Sequence, residues 1–258
     1  YPVLNFVGYS GSVVFDLDGT LWHFDDAPPP EEIAAFIAPR LERVITGWGQ
    51  HSTIPYDALD LAIIAGFRAS DQAADELHQH RHPNRVDDVA RTLAAHGVTA
   101  TREQAEQLRD TLSFEIEILR PRLFDGTLEA IEALRSTGAR LATATNRSHT
   151  AQKITQELRY HNLAHHFDEV LTAGDVGWLK PHPAIVHVAL KALDVPPERA
   201  LMVGDEPRRD IAAANAAGIT SVLITHPDRV SPLPATPDEH PNFTIASLAE
   251  LLDLIGHR

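Results

Sequence analysis

Two rhythms of apolar and polar residues run along this chain, and the switch between them divides it. The stretch VVFDLDGTLW, Val13 to Trp22, ends an apolar run with Asp16 and Asp18 and predicts a short buried strand over 13–17. After Trp22, HFDDAPPPEE is acidic and proline-rich and reads as a linker. In EEIAAFIAPRLERVIT, Ile33, Phe36, Ile37, Leu41, Val44 and Ile45 fall at helical spacing and form one apolar stripe. PYDALDLAIIAGF, VDDVARTLAAHG and TREQAEQLRDTLSFEIEILR keep the helical period, the last opening with Thr101 and Gln104 at capping-box spacing. From about residue 23 to 121 helices dominate, with almost no strand signal.

From Leu123 the period alternates. GTLEAIEALRSTG predicts a helix, RLATATN a strand, HTAQKITQELRYHNL a helix and EVLTAG a strand; PAIVHVALKALDV predicts a helix and ALMVGD a strand. RDIAAANAAG then predicts a helix closed by Gly218, ITSVLIT a strand, and NFTIASLAELLDLIG one more of each. Helices alternating with short apolar strands predict a parallel sheet covered on both faces. The strand at 13–17 has no helix of its own beside it, so the simplest topology makes it central. The fold class expected is α/β: a doubly wound, Rossmann-like parallel-sheet core over residues 1–22 and 122–258, interrupted by an all-α cap over 23–121.

Composition narrows the chemistry. At 43% hydrophobic and 22% charged over 258 residues, the chain has the make-up of a soluble globular protein of one large or two modest domains. It contains no cysteine, which excludes disulfides, thiolate metal sites and a cysteine nucleophile. The stretch YPVLNFVGYSG lacks the features of a signal peptide, and no apolar run is long enough to cross a bilayer, so a cytoplasmic location and no membrane partner are expected. A net charge of −14 argues against nucleic acid as a partner. With lysine only at Lys153, Lys180 and Lys191, an anionic ligand would need local positive charge, from a divalent metal and a well-placed lysine.

In open parallel sheets, ligands bind beyond the carboxyl ends of the strands. The first strand ends in Asp16 and Asp18, the RLATATN strand in Thr145 and Asn146, and the ALMVGD strand in Gly204 and Asp205, with Asp210 five residues on. Lys180 lies between, in GWLKPHP. Acids, a hydroxyl, an amide and a lysine thus converge on one sheet edge. Taken alone, Asp16 and Asp18 could be turn residues, Lys180 a solvated side chain and Thr145 and Asn146 strand-end groups; in this order the four clusters point to catalysis.

The pattern resembles the haloacid dehalogenase-like hydrolase superfamily. DLDGT at 16–20, ATN at 144–146, Lys180 and GDEPRRD at 204–210 look like its four motifs in order, and the helical insertion between the first two fits a C1-type cap. The resemblance implies that Asp16 is a nucleophile forming an aspartyl-phosphate and Asp18 a general acid and base. It implies Mg²⁺ held by the Asp16 and Asp205 carboxylates and the Asp18 carbonyl, with Asp210 either a further ligand or a partner of Lys180. Thr145, Asn146 and Lys180 would grip the phosphoryl oxygens, and Gly19 would let backbone N–H groups approach them. Superfamily members that cleave carbon–halogen bonds or phosphonates generally lack an acid at the position of Asp18, so its presence favours hydrolysis of a small phosphorylated metabolite. A phosphosugar mutase or other phosphotransferase, a phospho-acceptor module and a degenerate binding scaffold are the alternatives.

Further candidates carry weaker signals. Trp22 could line the site or pack beneath the cap hinge. HQHRHPNR, His78 to Arg85, reads as an exposed loop in preference to a metal tract. Arg68, Arg81, Arg85, Arg120 and Arg147 could each meet an anionic substrate tail. The glycines of VGYSG, residues 7–11, precede a strand, unlike a nucleotide loop. Neither the substrate nor the oligomeric state is legible.

Overall fold

The computed structural model describes residues 11–77, 80–112, 116–230 and 232–256. Most of VGYSG, His78 of the histidine tract and residues 113–115 of the last predicted cap helix lie outside them. Two compact units divide the chain: Tyr1–His23 with Arg122–Arg258, and Phe24–Pro121.

Among the described residues the first unit is built on eight strands, β1 (Ser12–Phe15), β2 (Trp22–His23), β3 (Arg122–Leu123), β4 (Arg140–Thr145), β5 (Glu169–Thr172), β6 (Ala200–Gly204), β7 (Thr220–Ile224) and β8 (Phe243–Ile245). Six form a parallel sheet in the order β5-β4-β1-β6-β7-β8. The order reverses at β1, which pairs with β4 through Phe15 and Thr143 and with β6 through Phe15 and Val203. The ends of β1, β4 and β6 therefore stand side by side at the switch point, where an open parallel sheet leaves a crevice. The other two, β2 and β3, form an antiparallel ribbon of two residues each, too short to show in the sequence period.

The second unit, taken by itself, is helical: α1 (Pro30–Gly47), α2 (Tyr56–Glu76), α3 (Arg85–Ala95), α4 (Arg102–Thr111) and α5 (Ile116–Leu119). Both α4 and α5 fall in the segment expected as one helix from Thr101, with residues 113–115 outside the described residues. Ile37, Leu41 and Ile45 of α1 pack with Leu59 and Ile63 of α2, Val89 and Leu93 of α3, and Leu108 of α4 in one core. Phe36, expected in that stripe, is exposed, with the Arg40 guanidinium 4.9 Å over its ring. The capping box is formed: Gln104 N–H donates to Thr101 Oγ1 at 3.2 Å and Thr101 N–H to Gln104 Oε1 at 2.8 Å. Arg85 is buried against Asp71 at 2.7 Å, Asp88 and the ring of Phe67, so its guanidinium serves the packing of this unit and not a substrate.

The sheet is flanked by α6 (Thr127–Ser136), α7 (Ala151–Tyr160), α8 (Ala173–Val176), α9 (Ala184–Ala192), α10 (Ala212–Ala216) and α11 (Leu248–Leu254). Val14, Ala142, Ala144 and Met202 on one face of the sheet pack against Ile185, Val186 and Ala189 of α9 and Ala213 and Ala214 of α10. Val13, Phe15, Leu141 and Val203, at the alternate positions, are equally buried, so both faces are covered. The helix expected over RDIAAANAAG begins as a wide π-type turn, Pro207–Ile211, before α10. No helix among the described residues is long and apolar enough to cross a membrane.

Asp60 of α2 is buried at 2% exposure, and its Oδ1 has no hydrogen-bond partner. Burial pushes its pKa up to about 6. The folded value lies above the unfolded one, so stability falls as pH rises from about 4 through about 6, by about 3 kcal/mol at most. Asp60→Asn is expected to match the wild type in thermal denaturation near pH 4 and to exceed it increasingly up to pH 7. A difference that does not change with pH would contradict this.

Candidate active site

The DLDGT turn leaves β1 at the switch point, and the acids it carries are met there by charge from three other segments. Lys180, in the turn before α9, is 1% exposed. Its Nζ donates to Asp16 Oδ1 and to Asp210 Oδ1, each at 2.6 Å. Burial alone would lower the Lys180 pKa, but Asp16 and Asp210 outweigh it and hold the ammonium firmly charged. Asp210 stands on the π-type turn, and its second oxygen accepts from the Glu206 N–H at 3.0 Å. Both of its oxygens are thus engaged, which makes Asp210 the lysine's partner before anything else. Asp205 follows β6 directly.

Carboxylate oxygens of Asp16, Asp205 and Asp210 lie within 4.8 Å of one another. Burial pushes Asp16 well above the usual carboxylate range, with Asp210 and Asp18 adding to the rise and Lys180 opposing it. Asp205 is pushed up to about 7, first by burial and then by Asp210. Three carboxylates face one ammonium, and that deficit of positive charge is what a divalent cation would fill. The donors are hard oxygens, the set that suits Mg²⁺. Asp16 and Asp205 fit it best, because the oxygens of Asp210 are already taken.

Two glycines make room for these acids. A Cβ on Gly204 would sit 2.3 Å from the Asp210 side chain. One on Gly19, where φ is +80°, would sit 2.2 Å from Asp205 Oδ2. The Gly19 N–H donates to the Trp22 carbonyl at 2.8 Å and the Thr20 N–H to Leu17 at 3.2 Å, so neither is turned towards a ligand. Gly19 therefore serves the acids and the turn; its carbonyl is held by His226 Nε2 at 3.0 Å.

Asp18 belongs to a second network. Arg147 grips it with both arms, Nε to Oδ2 and Nη2 to Oδ1, each 2.7 Å. The Trp22 indole N–H donates to Oδ1 at 2.8 Å. The remaining arm of Arg147, Nη1, pairs with the buried Glu157 of α7. Burial would lower the Arg147 pKa, but the two carboxylates more than reverse this. Arg147, expected as a contact for a substrate tail, instead spans Asp18 and Glu157. Trp22 is fully buried and stacks on His161 at 5.3 Å.

Thr145 ends β4 and is buried, its Oγ1 accepting from the Arg147 N–H at 3.3 Å. Asn146, expected at the phosphate, is committed to Lys180: its Oδ1 accepts from the Lys180 N–H at 2.7 Å and its Nδ2 donates to the Lys180 carbonyl at 3.1 Å. It fixes the backbone from which Lys180 reaches in. Asp16, Asp18, Gly19, Thr145, Asn146, Lys180, Asp205 and Asp210 all lie in the first unit, at or just beyond the carboxyl ends of β1, β4 and β6 or in the turn before α9. The sequence reading missed the part of Glu157, and for Trp22 it offered lining or packing but not the hydrogen bond to Asp18. Glu157 had a signal: it is a charged residue on the face of α7 that buries Ile154 and Leu158.

Comparison with known proteins bears on the family and the fold. The family described as haloacid dehalogenase-like hydrolase matches residues 12–218, most of the chain. Phosphoserine phosphatase of Thermus thermophilus is 38% identical over 117 residues, 45% of this chain and 45% of that protein. Phosphoglycolate phosphatase of Mannheimia succiniciproducens is 32% identical over 162 residues, 62% of this chain and 70% of that protein. The chain thus spans less than half the length of the first of these relatives. The crystal structure of a 2-haloacid dehalogenase from Pseudomonas syringae aligns with a TM-score of 0.63 at 23% identity, covering 95% of this chain and 97% of that one, a likeness of fold.

The close approach at Gly204 gives a direct check. Gly204→Ala is expected to force Asp210 off Lys180 and lower stability by about 1–3 kcal/mol in urea denaturation. Gly47→Ala, at the end of α1 where a Cβ would meet nothing, serves as the control and is expected to leave stability unchanged or raise it by up to about 1 kcal/mol. Equal behaviour of the two variants would contradict the packing described.

Proposed function

We propose that this chain, which belongs to the haloacid dehalogenase-like hydrolase family, is a Mg²⁺-dependent phosphatase that hydrolyses a small phosphorylated metabolite through an aspartyl-phosphate on Asp16. The observation that carries the reading is the trio of Asp16, Asp205 and Asp210, the first and last buried and Asp205 half-buried, around one lysine, beside a fourth acid, Asp18, hydrogen-bonded elsewhere. Phosphatases among the relatives support the reaction class.

Lys180 holds Asp16 Oδ1, fixing the carboxylate on the path to a phosphoryl group at the sheet edge. In the first step an Asp16 oxygen bonds to phosphorus, the bond from phosphorus to the ester oxygen breaks, and that oxygen takes a proton from Asp18. In the second, Asp18 takes a proton from water as the water oxygen bonds to phosphorus, and the bond to Asp16 breaks to free inorganic phosphate. Two acids in two environments can divide these tasks: Asp16 is buried beside an ammonium, and Asp18 is more open and hydrogen-bonded to Arg147 and Trp22. Thr145 and the Lys180 ammonium would meet phosphoryl oxygens, and Asn146 would act on them by holding the Lys180 backbone. Mg²⁺ bound by Asp16, Asp205 and the Asp18 carbonyl would supply the positive charge that the acids and a phosphate dianion together lack.

The test is release of inorganic phosphate from a panel of phosphorylated metabolites with Mg²⁺ present. Asp16→Asn is expected to lose at least about a thousandfold in kcat while keeping its fold. Chelation by EDTA is expected to stop turnover and added Mg²⁺ to restore it. An active Asp16→Asn protein, or full rate in EDTA, would overturn the proposal. Isomer formation without phosphate release would make the chain a mutase.

A further inference from the structure

Asp18 is the acid whose proton must move twice in the reaction proposed above, yet both of its oxygens are met by N–H donors. Oδ1 receives two, from Arg147 Nη2 and Trp22 Nε1. Oδ2 receives one, from Arg147 Nε. A carboxylate oxygen offers about two lone pairs, so Oδ1 is filled and Oδ2 keeps one open. The carboxylate cannot rotate without breaking a bidentate contact and an indole hydrogen bond together.

Arg147 is itself held from behind. Its third arm pairs with Glu157, which burial and α7 keep in place. The guanidinium is a rigid plane, so Glu157 on one edge fixes the direction in which the other edge presents its fork. Asp18, Arg147 and Glu157 form a continuous chain of contact from the DLDGT turn to a helix of the core. Trp22, stacked on His161, fixes the remaining side.

We propose that Arg147, braced by Glu157, is a positioning residue that holds the Asp18 carboxyl with Oδ2 turned out for proton transfer. This rests on the phosphatase reading for its consequence in catalysis, but the positioning itself is testable without turnover. Arg147 touches neither the Asp16–Lys180–Asp210 cluster nor Asp205 through any of these bonds, so it acts through Asp18. Lysine in its place would keep the charge and lose the fork.

The experiment compares full-length wild type, Arg147→Met, Arg147→Lys and Glu157→Gln on two probes, 4-nitrophenyl phosphate and phenyl phosphate. Nitrophenolate leaves without a proton; phenolate needs the general acid far more. Misplacing Asp18 is expected to cut kcat for phenyl phosphate by about a hundredfold or more and for 4-nitrophenyl phosphate by less than about tenfold, within the usual span of general-acid effects. Arg147→Lys is expected to show the same selective loss in milder form, and serves if the methionine variant does not fold. Glu157→Gln is expected to follow it in direction. Equal losses on both probes would overturn the proposal.

The second readout is the Trp22 indole N–H resonance in ¹⁵N-tryptophan-labelled protein without substrate, assigned by its absence in Trp22→Phe. It is expected to shift when Arg147 is replaced, because Asp18 Oδ1 is then no longer pinned; an unmoved resonance would overturn the positioning role. If the wild type releases phosphate from neither probe, the metabolite panel decides the phosphatase reading, and the indole resonance still decides whether Arg147 holds Asp18.

Discussion

A lysine ammonium with 1% exposure must be met by negative charge wherever water has been removed, and Lys180 is met by Asp16 and Asp210 at 2.6 Å each. Burying such a group costs several kcal/mol, recovered only through close, well-aligned partners. The surrounding backbone is shaped to that end. Gly204 leaves the space Asp210 occupies, the π-type turn brings Asp210 back under β6, and Asn146 ties down the peptide that carries Lys180. Those devices come from β4, β6 and the turn before α9, which is why the parallel strand order matters to the chemistry.

The same contact leaves the cluster short of positive charge. Asp205 has no lysine of its own, and burial raises its pKa towards neutrality. Asp16 is raised in the same sense despite its partner. An anionic phosphate ester would find such a site repellent, and the net charge of −14 offers no help from the rest of the chain. A divalent cation reconciles the burial of acids with the binding of an anion, and for that reason the proposed phosphatase chemistry and the proposed Mg²⁺ stand together. Asp18 adds to the rise at Asp16, while its own hydrogen bonds belong to a second network, one cation and two acids, with Arg147 and Glu157.

Much of this could be read from residues alone because the signals were long or repeated. Strands ending in Asp16, Thr145 and Asp205 were legible from apolar runs, and the capping pair Thr101 and Gln104 was legible from spacing. Other features were not. The two-residue strands β2 and β3 are below the length at which alternation shows, and Phe36 keeps the helical period while lying against Arg40 on the surface. Asn146 sits beside Thr145 in the chain, which suggested a shared ligand, but its amide matches the two ends of the Lys180 peptide. Arg147 looked like a loose cation because Asp18 lies 129 residues before it, and Glu157, ten residues on, is beyond the reach of a local helical pairing.

The claim on which the account turns is that Asp16 carries the phosphoryl group between substrate and water. Acid quenching during turnover with Mg²⁺, followed by borohydride trapping and peptide mass spectrometry, tests it most directly. The account predicts a phosphoryl adduct, or its reduced product, on the peptide at Asp16 and nowhere else. Phosphate release with that peptide unmodified throughout, or the adduct on another residue, would contradict it.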